Sequence, residues 1–479
     1  MGELSDLRVV VAGLGPMGRG IARVFAQAGA AVVVVDADTE TTAKGHAKLL
    51  EEAADSPVEV TTASSVGDAA RDADLFIEAI VEKFEAKLAL LEQVRAAGNT
   101  ELVVASNTSS LSIGELGKAY GDPTRVVGLH FFNPPTRMRL VEIIRGAMTA
   151  PDVLDHARAW VAGLGKTAVL CADSPNFIVN RVCRPLYYES QLLVTQGVTP
   201  PVVDAAVKGA LGHRMGPLEL LDFTGLHTHL GSSETALREF GDPRYRPIPL
   251  TRRLVRAGTT GRAAGRGYYD YAVGKPREAQ AAVLRQPGES TAKVRIVGAD
   301  SSHADGEITL YRTTGCTPED VAAVRELSGR VVVDSSHGGW VEHLPPGVGW
   351  VRLHHSGDGL FAEVVADEVA RIEPAYDVVD ALGAVSVPVL ALPGLVVDRL
   401  MWTMVNEALT LVEEDIATAE DVDLALRLGM NHPMGPLERL AEVGPAEVLT
   451  GLRGLLDTFG DPRYRPAQLL VRQAAGAAR

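Results

Sequence analysis

LRVVVAGLGPMGRGIARVFAQAGAAVVVVD, residues Leu7 to Asp36, decides the fold. Leu7 to Ala12 is a short Val-rich strand, Gly13 to Gly18 breaks it, Arg19 to Ala28 is helix-compatible, and Ala31 to Val35 is a second buried strand. The break is GxGxxG. Its glycines permit a tight turn, close approach of backbone to a pyrophosphate, and close packing of a helix whose N-terminus faces the phosphates. Asp36 closes the second strand where a carboxylate binds adenosine ribose hydroxyls and repels a 2'-phosphate, so the unit predicts NAD rather than NADP.

Outward from this βαβ unit, apolar runs at Leu75 to Ile80, Leu102 to Ala105, Val126 to Leu129 and Val141 to Ile144 alternate with helix-like stretches such as Lys83 to Arg95. That is the layout of a Rossmann-type, doubly wound α/β sheet. From about Asn176 the pattern turns to long amphipathic segments, Asn176 to Gln196 and Pro200 to Leu211, which predict an all-α domain. That domain is repeated. FGDPRYRP stands at Phe240 to Pro247 and again at Phe459 to Pro466, and MGPLE begins at Met215 and Met434, both offset by 219; PNFIVNR at Pro175 faces PGLVVDR at Pro393, offset by 218.

Between the copies, Val294 to Val297, Val331 to Val333 and VRLHH at Val351 to His355 echo the first sheet, while Gly298-Ala-Asp-Ser-Ser302 has lost the glycine loop. The expected organisation is a dinucleotide-binding domain over 1–172, a helical domain over 173–280, a degenerate Rossmann-like segment over 281–375, and the second helical copy over 376–479.

Composition narrows the function. The 479 residues carry 46 Lys plus Arg against 61 Asp plus Glu, a formal charge of -15 with no basic run, which argues against nucleic acid as a partner. No stretch reaches about 18 apolar residues and no signal-peptide pattern opens the chain, so neither membrane spanning nor secretion is expected. Cys171, Cys183 and Cys316 make no metal spacing and pair unevenly, so no metal site and a reducing cytoplasm are expected. Ser109, His130 and Glu142 can be written as a hydrolase triad, but no GxSxG elbow accompanies them.

Chemistry concentrates in SNTSSL at Ser106 to Leu111, GLHFFNP at Gly128 to Pro134, and Leu140-Val-Glu142. A histidine takes a proton from a hydroxyl as hydride leaves the same carbon when its other nitrogen is held by an acceptor such as a carboxylate. Together with GLGPMG, EAIVE, PNFIVNR and MGPLELLD, these motifs resemble the L-3-hydroxyacyl-CoA dehydrogenase family across about residues 7 to 275. The second helical copy makes the chain similar to the longer bacterial 3-hydroxybutyryl-CoA dehydrogenases.

The resemblance implies oxidation of an L-3-hydroxyacyl thioester with NAD, or the reverse. It puts the catalytic histidine on His130, its glutamate on Glu142, the serine contacting substrate hydroxyl and nicotinamide on Ser109, and the substrate asparagine on Asn180. It assigns Gly13, Gly15, Met17, Gly18 and Asp36 to the dinucleotide, and Glu82, Lys87, Asn107 and Asn133 to its nicotinamide half. Two departures stand out. Only Ala37 to Val58 follows the ribose aspartate, room for one helix where the family carries a long hairpin against coenzyme A, and the usual G-x-K-T-G lysine is Ala263.

These departures leave an acyl-carrier-protein thioester or a small free hydroxyacid as alternative substrates, and a non-catalytic NAD-responsive binding protein as an alternative of another class. In the second copy Asp398 replaces the asparagine, so one active site per chain is expected, with His354 and His355 facing solvent. The two helical copies are expected to form an intrachain pseudo-dimer, with a further homodimer left open.

Overall fold

The computed structural model of the chain describes residues 4–298, 307–357 and 359–476. Eight strands form the first sheet: β1 (Arg8–Ala12), β2 (Ala31–Val35), β3 (Val60–Thr62), β4 (Leu75–Glu78), β5 (Val103–Ser106), β6 (Val126–Phe131), β7 (Leu140–Arg145) and β8 (Thr167–Ala172). Their order is β3-β2-β1-β4-β5-β6-β7-β8, and every pairing is parallel except β6 with β7. Strands this rich in Val, buried on both faces, are what a sheet covered by helices requires. One helix, Thr39–Glu52, follows Asp36, capped by Asp38 accepting from the Thr41 N–H at 2.7 Å.

A second sheet is built from β9 (Val294–Gly298), β10 (Ile308–Arg312), β11 (Arg330–Asp334), β12 (Gly349–Ser356), β13 (Gly359–Val365) and β14 (Val385–Val389), in the order β14-β13-β12-β11-β10-β9. Its antiparallel pair is β12 with β13, so β9 to β14 repeat β1, β4, β5, β6, β7 and β8 in turn. Among the described residues it has no counterpart of β2 and β3, the strands that in the first sheet carry and follow Asp36. Ala299 to Ser302, where the glycine loop is lost in sequence, lie outside the described residues.

Two expected boundaries need correction. The second sheet runs on through β14 to Val389, so the limit at 375 falls inside the helix Ile372–Ala381, which packs on β11, β12 and β13 and belongs to the sheet. The limit at 280 likewise falls inside the helix Pro276–Val283.

The chain forms two compact bodies, Met1–Arg181 with Glu414–Met430, and Val182–Glu413 with Asn431–Arg479. The four expected segments therefore do not fold in linear order. In the first body, the helix Ala419–Met430 of the second copy packs on β7 and β8. In the second body its counterpart 219 residues earlier, the helix Pro200–Leu211, packs on β12, β13 and β14.

Within the second body the two helical copies meet through reciprocal contacts. Tyr245 donates to Glu407 at 2.5 Å and Tyr464 to Glu189 at 2.9 Å; Arg246 reaches Asp461 at 3.4 Å and Arg465 reaches Asp242 at 2.5 Å. Each pair maps onto the other under the repeat offset of 218 or 219, which is the signature of an internal twofold. The equivalent residues His213 and His432 stack on one another with ring centres 3.9 Å apart, and burial holds both uncharged, pulling His213 down to about 4. Among the described residues no helix is long and apolar enough to cross a membrane.

Candidate active site

β1 ends in a turn in which Gly13 has φ +92 and a Cβ would lie 2.7 Å from the Ala79 carbonyl oxygen. A Cβ on Gly18 would overlap the Gly13 carbonyl, whereas nothing lies within 4 Å of the corresponding point on Gly15. Gly13 and Gly18 are thus required by packing, and Gly15 leaves an open face at the N-terminus of the helix Pro16–Gln27, which has no side-chain cap and no acidic residue in its first turn. Free amides pointing into open space at a helix start suit a pyrophosphate.

Gly13, Gly15, Met17 and Asp36 line a cleft of about 630 Å³ at this point, with Gly18 buried behind it. The Asp36 carboxylate is fixed by the N–H groups of Leu14 at 2.6 Å and Ala37 at 2.7 Å, which aims it along the cleft wall. The residues fit NAD, which when bound accepts the hydride given up by the substrate carbon.

Glu82 and Lys87 are joined to each other and to the loop that carries Ser109. Lys87 is buried and donates to both oxygens of Glu78 at 2.7 Å, with Glu82 at 3.2 Å. Burial pushes the Glu78 carboxyl up against the pull of Lys87. Glu82 accepts from the Thr108 hydroxyl at 2.6 Å, the Ser109 N–H at 2.9 Å and the Ser110 hydroxyl at 3.1 Å. Burial would raise its pKa, but Lys87 and these donors outweigh it and hold Glu82 below the usual carboxylate range.

Lys87 is therefore a buried post for Glu82, and Glu82 is the brace of the loop that presents Ser109. Glu78, the first residue of EAIVE, also accepts from Ser106. Asn107 accepts the Phe131 N–H at 2.8 Å with its side-chain oxygen, which joins the serine loop to β6. Asn133 is exposed in the loop after β6.

His130 on β6 stands directly across from Glu142 on β7. Side chains so paired project from the same face of the sheet. The ring Nδ1 lies 2.7 Å from Glu142 Oε2, and Glu142 Oε1 accepts the Val179 N–H at 2.9 Å. Both oxygens accept, as those of a carboxylate do, so Nδ1 carries the ring proton and Nε2 keeps its lone pair for a substrate hydroxyl. His130 is only 7% exposed, flanked by Phe132 with ring centres 4.7 Å apart and Phe177 at 5.8 Å. Asn180 follows Val179 directly, at the start of the helix Val179–Val182.

The turn before it holds Asn176 at φ +65 and Phe177 at φ +51, which aims the Val179 N–H at Glu142; the second copy repeats the device with Gly394 at φ +77 and Leu395 at φ +46. Non-glycine residues at such angles are costly and persist where the surroundings fix them.

The second copy keeps this frame without the chemistry. Glu363 on β13 accepts the Val396 N–H at 2.7 Å, but the residue directly across from it is Arg352, whose Nε reaches Asp398 at 2.7 Å and whose Nη2 reaches Glu447 at 2.6 Å. His354, two residues on, turns its Nε2 to Glu363 at 2.9 Å, while its Nδ1 lies 4.0 Å from Asp398. It is therefore largely buried rather than solvent-facing, because the shorter β12–β13 hairpin shifts the register by two; His355 is exposed. His354 thus faces carboxylates on both sides, and Asp398 stands where the first copy has Asn180.

Family models match most of the chain: the 3-hydroxyacyl-CoA dehydrogenase NAD binding domain over residues 8–174, and the 3-hydroxyacyl-CoA dehydrogenase C-terminal domain twice, over 177–271 and 394–476. The chain belongs to the 3-hydroxyacyl-CoA dehydrogenase family. This family member is 32% identical to 3-hydroxyadipyl-CoA dehydrogenase of Escherichia coli (strain K12), with 97% of each chain covered. It is 38% identical to a probable 3-hydroxybutyryl-CoA dehydrogenase of Bacillus subtilis (strain 168), which covers 55% of this chain and 97% of that protein.

In structure it is similar to 3-hydroxybutyryl-CoA dehydrogenase from Escherichia coli K12 substr. MG1655, with TM-score 0.81, 28% identity and 98% of both chains covered. It is an NAD-dependent oxidoreductase acting on a 3-hydroxyacyl-CoA-like substrate, with a duplicated C-terminal domain.

Proposed function

We propose that the reaction is oxidation of an L-3-hydroxyacyl-CoA to the 3-oxoacyl-CoA, or its reverse, at one active site per chain built on His130, Glu142, Ser109 and Asn180. The observation that carries this reading is the His130–Glu142 pair at 2.7 Å, with Nε2 left free on a nearly enclosed ring. His130 Nε2 takes the 3-hydroxyl proton as hydride departs from the same carbon, and Glu142 stabilises the imidazolium so formed. Ser109, on the loop braced by Glu82, and Asn180, on the helix tied to Glu142, orient the oxygen. Three free thiols fit a reducing cytoplasm as its location.

Two observations bear on the acyl group and its carrier. The single helix Thr39–Glu52 leaves a smaller surface for the coenzyme A nucleotide than a hairpin would, which favours testing acyl-carrier-protein thioesters and free hydroxyacids. A relative that matches end to end is named for 3-hydroxyadipyl-CoA, whose chain ends in a carboxylate. We expect kcat/KM for 3-hydroxybutyryl-CoA or 3-hydroxyadipyl-CoA to exceed that for the matching carrier-protein thioester and free acid by about tenfold or more, because contacts to a remote handle are realised in kcat/KM. Equal or better values for the carrier-protein thioester or the free acid would reject coenzyme A as the handle.

A further inference from the structure

The second helical copy reaches the first active site through the segment Glu414–Met430, which folds as part of the first body. β8 is an edge strand of the eight-stranded sheet, and its outward N–H groups need partners. The segment supplies one: the Ala172 N–H donates to the Ile416 carbonyl at 2.8 Å. Arg181, the neighbour of Asn180, reaches Glu414 at 2.7 Å. These ties bring the end of the helix Ala419–Met430 onto β7.

There Gly429 meets three side chains at once. A Cβ on it would lie 2.9 Å from Leu140 Cδ2, 3.1 Å from Val179 Cγ2 and 3.5 Å from Phe132 Cε1. Each is one step from the catalytic pair. Leu140 is two residues before Glu142 on the same strand, Val179 donates its N–H to Glu142, and the Phe132 ring packs on His130. Glycine within a helix is otherwise unfavourable, and the first copy carries Ala210 at this position.

We propose that Gly429 is a positioning residue for the His130–Glu142 pair, acting through Leu140 and Val179, so that the duplicated domain supplies part of the catalytic wall. Leu140 and Val179 are fully buried and closer to a Cβ at 429 than ordinary van der Waals contact, whereas Phe132 is half-buried and at ordinary contact distance. A side chain at 429 therefore presses on Leu140 and Val179, on the strand and turn that hold Glu142, and displaces the carboxylate from the line it shares with His130. The inference rests on His130 being the base.

Gly429→Leu in the full chain should lower kcat on the order of 10²-fold, the scale of a displacement of about 1 Å at a catalytic group, with NADH affinity unchanged within about twofold. Leu140→Ala added to it should restore about tenfold of that loss, a coupling that independent structural damage does not produce. Gly429→Ala supplies the smaller step, about threefold, if the leucine variant does not accumulate. Wild-type kcat in the variant that folds, a double variant no faster than the single one, or rescue by Phe132→Leu but not by Leu140→Ala would overturn the proposal. Failure of the catalytic reading itself is distinguishable, because it would leave His130→Gln active.

Discussion

Replacing His130 by Gln is expected to lower kcat by about 10³-fold while leaving NADH binding within about twofold of wild type; general acid–base groups contribute about 10² to 10⁴. At about 1.4 kcal/mol per tenfold, that is about 4 kcal/mol of barrier. Gln keeps a donor for Glu142, so the carboxylate, which is fully buried and also holds the Val179 N–H, is not stranded and the fold should survive. The glycine cradle and Asp36 stand on β1 and β2 and do not use the imidazole, which is why dinucleotide affinity should be spared. No activity should be rescued by the second half, since Arg352 stands opposite Glu363 and pairs with Asp398, which replaces Asn180. Near wild-type turnover in this variant, measured as NADH formation, would remove His130 from its role.

A chain ended after Tyr271 should fail as a soluble, fully active monomer. The cut deletes Arg399 and Tyr464, which hold the buried Glu189 at 2.7 and 2.9 Å, and breaking a buried ion pair by removing one partner costs about 3–5 kcal/mol. It also uncovers the β8 edge and leaves Arg181 without Glu414. The exposed face is self-complementary by construction, because it binds its own repeat, so association of the fragment is the expected escape. We expect aggregation or a dimer by light scattering, with kcat lowered at least about tenfold. A monomer with full activity would show that the second copy completes nothing in the first.

The sequence carries much of this because the responsible residues lie close together in it. GLGPMG and Asp36 are one βαβ unit, and His130 and Glu142 belong to adjacent strands, so motif and register coincide. The repeat offset likewise foretells the reciprocal tyrosine–glutamate pairs. What was illegible depends on long-range choices. VSVPV at Val385–Val389 holds a proline and does not read as a sheet strand, yet β14 is an edge strand, where a missing N–H is tolerated.

The VRLHH echo of VGLHF suggests that His354 replaces His130, but a hairpin shortened between β12 and β13 brings Arg352 opposite Glu363 instead. Nothing local reveals that Glu78 lies against Lys87. That the helix Ala419–Met430 leaves its own copy for the first body is a tertiary outcome, for which both amphipathic helices of the repeat are equally suited by pattern.

The central claim, NAD-dependent oxidation of a 3-hydroxyacyl-CoA, is tested most directly by mixing the full chain with NAD and L-3-hydroxybutyryl-CoA and following NADH absorbance. The account predicts turnover of about 1 to 10³ per second with one 3-oxoacyl-CoA formed per NADH. Binding of NADH without any NADH formation from L-3-hydroxyacyl-CoA of any chain length would contradict it.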